Sequence, residues 1–234
     1  MSNDVRPSRV VGILGGMGPA ATVDFYDKLV RATPARSDHE HLRVVIWSDP
    51  TVPNRHEAVR GTGEDPTPSL EYGIAQLLQA GAEIIVAPCN TVHAFLPALL
   101  VDKDVEFLSI IDTAVDAVVQ TDRGHRIGIL AADGAIECEL YQTALRTAGK
   151  EAVVLSDTSQ RRLMETIFRL KAGPPEESDV RSLTAALDEL ERSGVTTAVV
   201  GCTELTLLIG SVQTRLQLVD ASQALARRTV ERAH

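Results

Sequence analysis

The chain has 234 residues, 44% of them apolar, and a formal net charge of −9 with a pI near 5.2. That length supports a sizeable core in one large or two small domains, and the acidic balance, with no run of Lys or Arg, argues against nucleic acid and anionic membrane surfaces as partners. No apolar run approaches the roughly 20 residues of a membrane span; Met1 to Pro7 is polar, without a signal-peptide pattern; and three cysteines with no Cys-x-x-Cys pair fit neither a disulfide framework nor a zinc motif, pointing to free thiols in a reducing, cytoplasmic setting.

In chain order, short apolar runs predict strands near 9–14, 42–47, 83–87, 106–110, 125–131, 152–155, 196–200 and 216–219. Amphipathic stretches predict helices near 19–32, 68–80, 91–100, 112–120, 136–148, 160–171, 179–193 and 221–233. The strand runs are continuous and rich in Val and Ile, as when both faces are covered. Strand–helix alternation of this kind predicts an α/β fold with mostly parallel sheets. Ser48 to Pro68 carries four prolines; a loop this long is often functional, for example a lid. Gly173-Pro174-Pro175 reads as a helix stop and linker.

The chain also repeats itself. Val11-Gly12-Ile13-Leu14 is echoed by Ile127-Gly128-Ile129-Leu130, and Tyr26 on the first predicted helix by Tyr141. Cys89 follows Gly81 by eight residues, as Cys202 follows Gly194; from Gly12 to Cys89 is 77 residues, and from Gly128 to Cys202 is 74. These echoes predict two similar α/β units related by a pseudo-two-fold axis. The expected division is residues 1–112 completed by 209–234, and 113–208. Any two α/β units share strand and turn patterns, but shared patterns do not explain a cysteine at the same place in both.

Each of these cysteines sits just past a predicted strand and before a helical stretch, where open α/β sheets bind ligands. Backbone N–H groups there bind anions and lower a thiol pKa. Pro88-Cys89-Asn90-Thr91 and Gly201-Cys202-Thr203-Glu204 both place small polar side chains at the expected N-cap. Two thiols facing one cleft suit inversion of a stereocentre, which needs a base on one face and an acid on the other. A thiol of ordinary pKa about 8.5, lowered toward the working pH, can both take and give a proton. Taken alone, a buried cysteine at a strand end is ordinarily a small hydrophobe; the symmetric pair favours chemistry. Cys138 lies within an amphipathic stretch and reads as structural.

At Gly15-Gly16-Met17-Gly18-Pro19, at Pro88-Cys89-Asn90-Thr91 with His93, and at Gly201-Cys202-Thr203-Glu204-Leu205, the sequence resembles the aspartate/glutamate racemase family, closest to its aspartate racemase branch. The resemblance runs from Val10 to about Arg228. It implies two flavodoxin-like or Rossmann-like α/β domains with the active site at their interface, and a PLP-independent two-base racemase of a small acidic amino acid, working without a cofactor or metal as a homodimer, with Cys89 and Cys202 as the acid/base pair. Val52-Pro53-Asn54-Arg55 resembles the family's Ile-Pro-Asp-Arg, whose arginine grips the side-chain carboxylate. The segment from Ile167 to Gly173 resembles the one supplying a second cation, here Lys171. Asn90, Thr91 and Thr203 match residues that hold the α-carboxylate and ammonium, and Met17 matches one on the pocket floor. Two departures bear on substrate identity: Ala132-Asp133-Gly134-Ala135 stands where the family usually has Thr-x-Gly-Thr, and Asn54 replaces an aspartate.

The remaining candidates have bland readings beside functional ones. Arg55 in a polar loop is ordinarily solvated, and Lys171 near a helix C-terminus suits the macrodipole; a carboxylate substrate gives both a task, with Arg suited to a bidentate grip. His93 and Glu204 can orient a thiol or a substrate ammonium, or merely pack and cap. Asp49 can bind an amino group or cap a turn. Gly16-Met17-Gly18-Pro19-Ala20-Ala21 satisfies the G-x-G-x-x-A dinucleotide pattern. Three alternatives therefore stand beside the racemase: a cysteine-dependent isomerase or decarboxylase of a small dicarboxylate, an NAD-dependent oxidoreductase, and a binding protein without chemistry.

Overall fold

The computed structural model describes residues 8–122 and 124–234; the reading of Met1 to Pro7 as a polar lead-in lies outside them. Eight strands form: β1 Val11–Gly15, β2 Val44–Ser48, β3 Ile84–Val86, β4 Glu106–Leu108, β5 Arg126–Ala131, β6 Glu151–Val153, β7 Thr197–Gly201 and β8 Gln217–Asp220. The helices are α1 Pro19–Ala32, α2 Arg55–Val59, α3 Thr67–Gln79, α4 Leu96–Leu100, α5 Ile110–Thr121, α6 Asp133–Glu137, α7 Leu140–Thr147, α8 Asp157–Ala172, α9 Glu177–Arg192 and α10 Ala221–Ala233. Local chemistry sets several of their ends. Pro19 opens α1, and the side chains of Ser109 and Asp220 accept from backbone N–H groups to cap α5 and α10. Glu176 and Asp179 form a reciprocal capping box on α9. The predicted helix over 136–148 is two short helices, α6 and α7, broken at Glu139, whose φ of 50° is left-handed.

The strands make two four-stranded parallel sheets of identical order, β2-β1-β3-β4 and β6-β5-β7-β8. Register carries the repeat to the cysteines. Gly12 pairs with Ile85 and Gly128 with Ala198, and each cysteine lies four residues beyond that partner. Alternation along the strands sorts their side chains onto two faces. Val11, Ile13, Ile84, Val86, Ile127, Ile129 and Val199 share one central core with Phe25, Tyr141 and Leu225. Leu14, Ile85 and Ala87 face an outer core on the first sheet, and Leu130, Ala198 and Val200 one on the second. The central cluster draws from both sheets, so the two units share a buried apolar seam.

Three expectations change. Strand β8, expected with the first unit, pairs in parallel with β7 of the second sheet; β7 otherwise leaves an open edge there. Helix α10 packs on both α1 and α5. The counterpart of Tyr141 is Phe25 rather than Tyr26. Both lie 13 residues past their strand glycines and are fully buried, whereas Tyr26 is 41% exposed. Finally, the proline-rich segment 48–68 is not structureless: it contains α2, which packs against α6 of the other half.

Candidate active site

Cys89 and Cys202 line one cavity, together with Met17, Arg55, His56, Asn90, Thr91, Ala132, Lys171, Gly201, Thr203 and Glu204. Both thiols are buried and free. The cavity holds only about 10 Å³, about one water's worth of space, so an amino acid enters only if the walls part. The two cysteine segments touch directly, because the Thr203 hydroxyl donates to the Pro88 carbonyl at 3.1 Å. The turns after the strands are 3₁₀, Thr91–Ala94 and Leu205–Ser211, not the α-helices expected there.

The turn after β1 brings Met17 to the cavity. Gly16 has φ of 92°, and a Cβ there would lie 2.3 Å from the Asp49 backbone nitrogen, so only glycine fits. Asp49 itself does not line the cavity. Its carboxylate accepts from the Thr51 N–H and hydroxyl, the bland reading of a turn cap.

Segment 48–68 delivers Arg55 and His56. Asn54 caps α2, its side-chain oxygen accepting from the His56 N–H at 3.0 Å, so the departure from aspartate keeps a capping acceptor. Arg55 is partly bound within the protein. Nη1 donates to the carbonyls of Val52 and Pro53, and Nη2 to that of Met17. One Nη2 N–H remains, together with Nε, which is buried and without a partner. Three of its five N–H groups fix the loop, since a polar loop docked over a cleft must satisfy its own buried carbonyls.

His56 is a cavity residue that sequence reasoning missed. Its Nδ1 accepts from the Gly134 N–H at 3.3 Å, and its ring stands edge-on to Phe168 at 6.1 Å. It thereby seats α2 on the turn where Ala132 and Ala135 stand. Burial, followed by the charges of Lys171 and Arg55, lowers its pKa from 6.5 to about 4, so it is a neutral acceptor at neutral pH. The signal available in the sequence was its place beside Arg55.

His93 does not line the cavity but supports it. Its Nε2 accepts from the Ile110 N–H at 3.1 Å, which leaves the proton on Nδ1 to donate to the Cys89 carbonyl at 2.9 Å. Burial lowers its pKa to about 4, against the opposing pull of hydrogen bonds to the Cys89 and Asn90 backbone. Folding thus favours the neutral ring. The unfolded chain takes up this proton below about pH 6.5 and the native state only near pH 4, so stability falls on acidification between them, by about 3 kcal/mol for this residue. Urea melts at pH 7.5 and pH 4.5 are expected to show a smaller acid loss in His93→Gln than in the unmutated protein. An equal loss would remove His93 as the cause.

Glu204 is buried beside Cys202. The thiol donates to its Oε2 at 3.1 Å, and Lys171 Nζ approaches its Oε1 at 3.7 Å. The expected lowering of a thiol pKa does not hold at Cys202. Burial, followed by the Glu204 charge, raises it well above its ordinary value, with Lys171 pulling the other way. Two buried, short 3₁₀ turns supply less dipole than the full helices assumed from sequence. Seven buried side-chain polar atoms lack hydrogen-bond partners among the described residues, and three of them, Asn90 Nδ2, Arg55 Nε and Glu204 Oε1, belong to cavity residues. Two donors and an acceptor left open in one cleft are what a zwitterionic carboxylate ligand would satisfy.

No group of three or more His, Cys, Asp or Glu side chains placed to hold a metal occurs among the described residues. No described helix is long and apolar enough to cross a membrane. The turn after β1 gives its Gly16 N–H to the Thr22 hydroxyl at 2.9 Å, so that donor is not open to a phosphate.

Comparison with known proteins places the chain in a family. The chain is 25% identical to the broad specificity amino-acid racemase RacX of Bacillus subtilis over 94% of its own length and 96% of that protein's. It is 30% identical to a glutamate racemase of Levilactobacillus brevis over 67% of its length, spanning 58% of that enzyme. Its fold matches the Picrophilus torridus aspartate racemase with a TM-score of 0.85 at 28% identity, covering 96% of this chain and 94% of that one. The family model of the Asp/Glu/hydantoin racemases matches residues 14–229. The chain therefore belongs to the Asp/Glu/hydantoin racemase family, whose members are isomerases.

Proposed function

We propose that this protein racemises a small acidic amino acid, aspartate first among them, by proton transfer at Cα between Cys89 and Cys202. The observation that carries the reading is the placement of two thiols from equivalent strand ends on one cavity whose walls also hold open donors and an open acceptor. Asn90 Nδ2, with Thr91 and Thr203, faces the α-carboxylate. Glu204 Oε1 accepts from the ammonium. Arg55, through Nε, and Lys171 meet the side-chain carboxylate.

Cys202 rests as a thiol, given the raised pKa that burial and Glu204 impose. It is the acid for one enantiomer, and proton removal falls to Cys89. As the Cα–H bond breaks toward Cys89, negative charge spreads from Cα into the α-carboxylate, where fixed donors in a water-poor cleft stabilise it. The Cys202 proton then goes to the opposite face of Cα. For the other enantiomer the roles reverse. The same reading includes a cytoplasmic setting, which keeps both thiols reduced, and a homodimer.

One observation favours a broader amino-acid range: three Arg55 N–H groups are committed to backbone carbonyls and Lys171 sits near Glu204, so few free cationic donors are left to grip an acidic side chain. A screen of α-hydrogen exchange in deuterated water over the proteinogenic amino acids separates the two. Exchange confined to aspartate and glutamate supports the acidic reading, comparable exchange with neutral amino acids supports the broad one, and none with any amino acid overturns both. Under the acidic reading, Lys171→Met is expected to cut kcat/KM for aspartate by about 10-fold or more, the scale of one charge-assisted contact, and to spare neutral amino acids. An unchanged kcat/KM would exclude Lys171 from the side-chain subsite.

A further inference from the structure

Tyr141, on α7, belongs to the second half of the chain and Asn90 to the first, yet the Tyr141 hydroxyl donates to Asn90 Oδ1 at 2.6 Å within the protein interior. The tyrosine is fully buried. Its ring passes against the end of β7, where a Cβ on Gly201 would come within 2.4 Å of the ring, so glycine next to Cys202 is what admits it. Asn90 lines the cavity, and its Nδ2 is buried without a partner.

An asparagine amide can sit two ways round, and its neighbours decide which. A buried hydroxyl proton needs an acceptor, and Oδ1 is the one it has. The phenol is also held in its protonated form: burial, then the charges of Cys202, Asp220 and Asp112, raise its pKa well above the ordinary value. It is therefore a donor throughout the working range. The reversed amide would strand that proton and turn Oδ1 toward the substrate carboxylate, oxygen against oxygen.

We propose that Tyr141 is a positioning residue that fixes the Asn90 amide with its NH₂ toward the α-carboxylate of the substrate; this rests on the racemase reading above and on Asn90 as a carboxylate donor. Because donor and acceptor come from different halves, the same bond registers the carboxylate subsite of one half against the Cys202 strand of the other.

Steady-state racemisation by Tyr141→Phe, Asn90→Ala and the double variant tests it. The phenylalanine ring keeps the packing against Gly201. Tyr141→Phe is expected to raise KM for the racemised amino acid by about 10-fold, the scale of one hydrogen bond to a charged group, with a smaller change in kcat. In the Asn90→Ala background the same substitution should change KM by less than about 2-fold, since partners acting through one contact are not additive. An unchanged KM in Tyr141→Phe, or KM increases that multiply in the double variant, would overturn the proposal. If Tyr141→Phe loses its cooperative melt, spectra of the unmutated protein with ¹⁵N-labelled asparagine decide. L-aspartate should shift the Asn90 side-chain amide pair, and no shift would sink the idea. An unmutated protein that racemises no amino acid overturns the parent reading and this one with it, whereas a racemising protein whose Tyr141→Phe variant keeps its KM strikes only this one.

Discussion

Cys89→Ala and Cys202→Ala are each expected to lower racemisation by about 10³-fold, within the range a single positioned acid or base contributes. A general structural defect would suppress all chemistry, but loss of one side of a two-base pair does not. Cys202→Ala keeps the proposed base, Cys89, and should still wash deuterium into the one enantiomer whose α-hydrogen faces Cys89, without inverting it. Cys89→Ala should do the same for the opposite enantiomer. Mass spectrometry of each enantiomer recovered from deuterated water, with chiral chromatography for inversion, reads both. Both substitutions remove one small buried atom, so melting should stay cooperative. Either variant retaining inversion near the unmutated rate would end the two-thiol mechanism.

Glu204→Gln is expected to move the pH dependence of turnover toward lower pH. The sign follows from what surrounds the Cys202 sulfur. Burial raises its pKa first and the Glu204 carboxylate next, while Lys171 lowers it. Glutamine removes the second contribution and leaves the Lys171 charge without its carboxylate neighbour, so the thiol ionises more readily. Where Cys202 serves as acid, the alkaline fall in rate should begin at lower pH; where it serves as base, the rise should. A shift of at least about one pH unit is expected, which corresponds to about 1.4 kcal/mol. Profiles of kcat for both enantiomers, with and without the substitution, measure it. Superimposable profiles would detach Glu204 from Cys202.

Much of the frame was legible before any coordinates. Apolar runs of strand length and amphipathic stretches are local signals, and they located α1 and α10 over 19–32 and 221–233 without error. Where the pattern misled, a non-local fact decided. The predicted helix over 136–148 breaks at Glu139, and of the two tyrosines that looked alike, Tyr141 is fully buried and Tyr26 exposed. Strand β8 pairs with β7 of the second sheet, a partnership between segments that local pattern does not carry.

The cysteine-bearing segments were also found from sequence, because two copies of one strand–turn unit repeat the same spacing to the same residue. The wiring around them was not. Arg55 reads as a freely available fork until its two terminal nitrogens are seen on the carbonyls of Val52, Pro53 and Met17. Cys202 reads as an acidified thiol until it is seen buried beside a carboxylate.

What the sequence determined by itself was the α/β alternation, the duplication and the strand ends that carry Cys89 and Cys202, all written in spacings along one segment at a time. Only the tertiary structure decided that Tyr141 holds Asn90 across 51 residues, that Thr203 meets Pro88 across 115, and that His56 closes on Gly134 across 78. The reason is that hydrogen bonds and desolvation act through distance in space, and the packing of two sheets around one shared core brings together residues whose separation along the chain carries no sign of it.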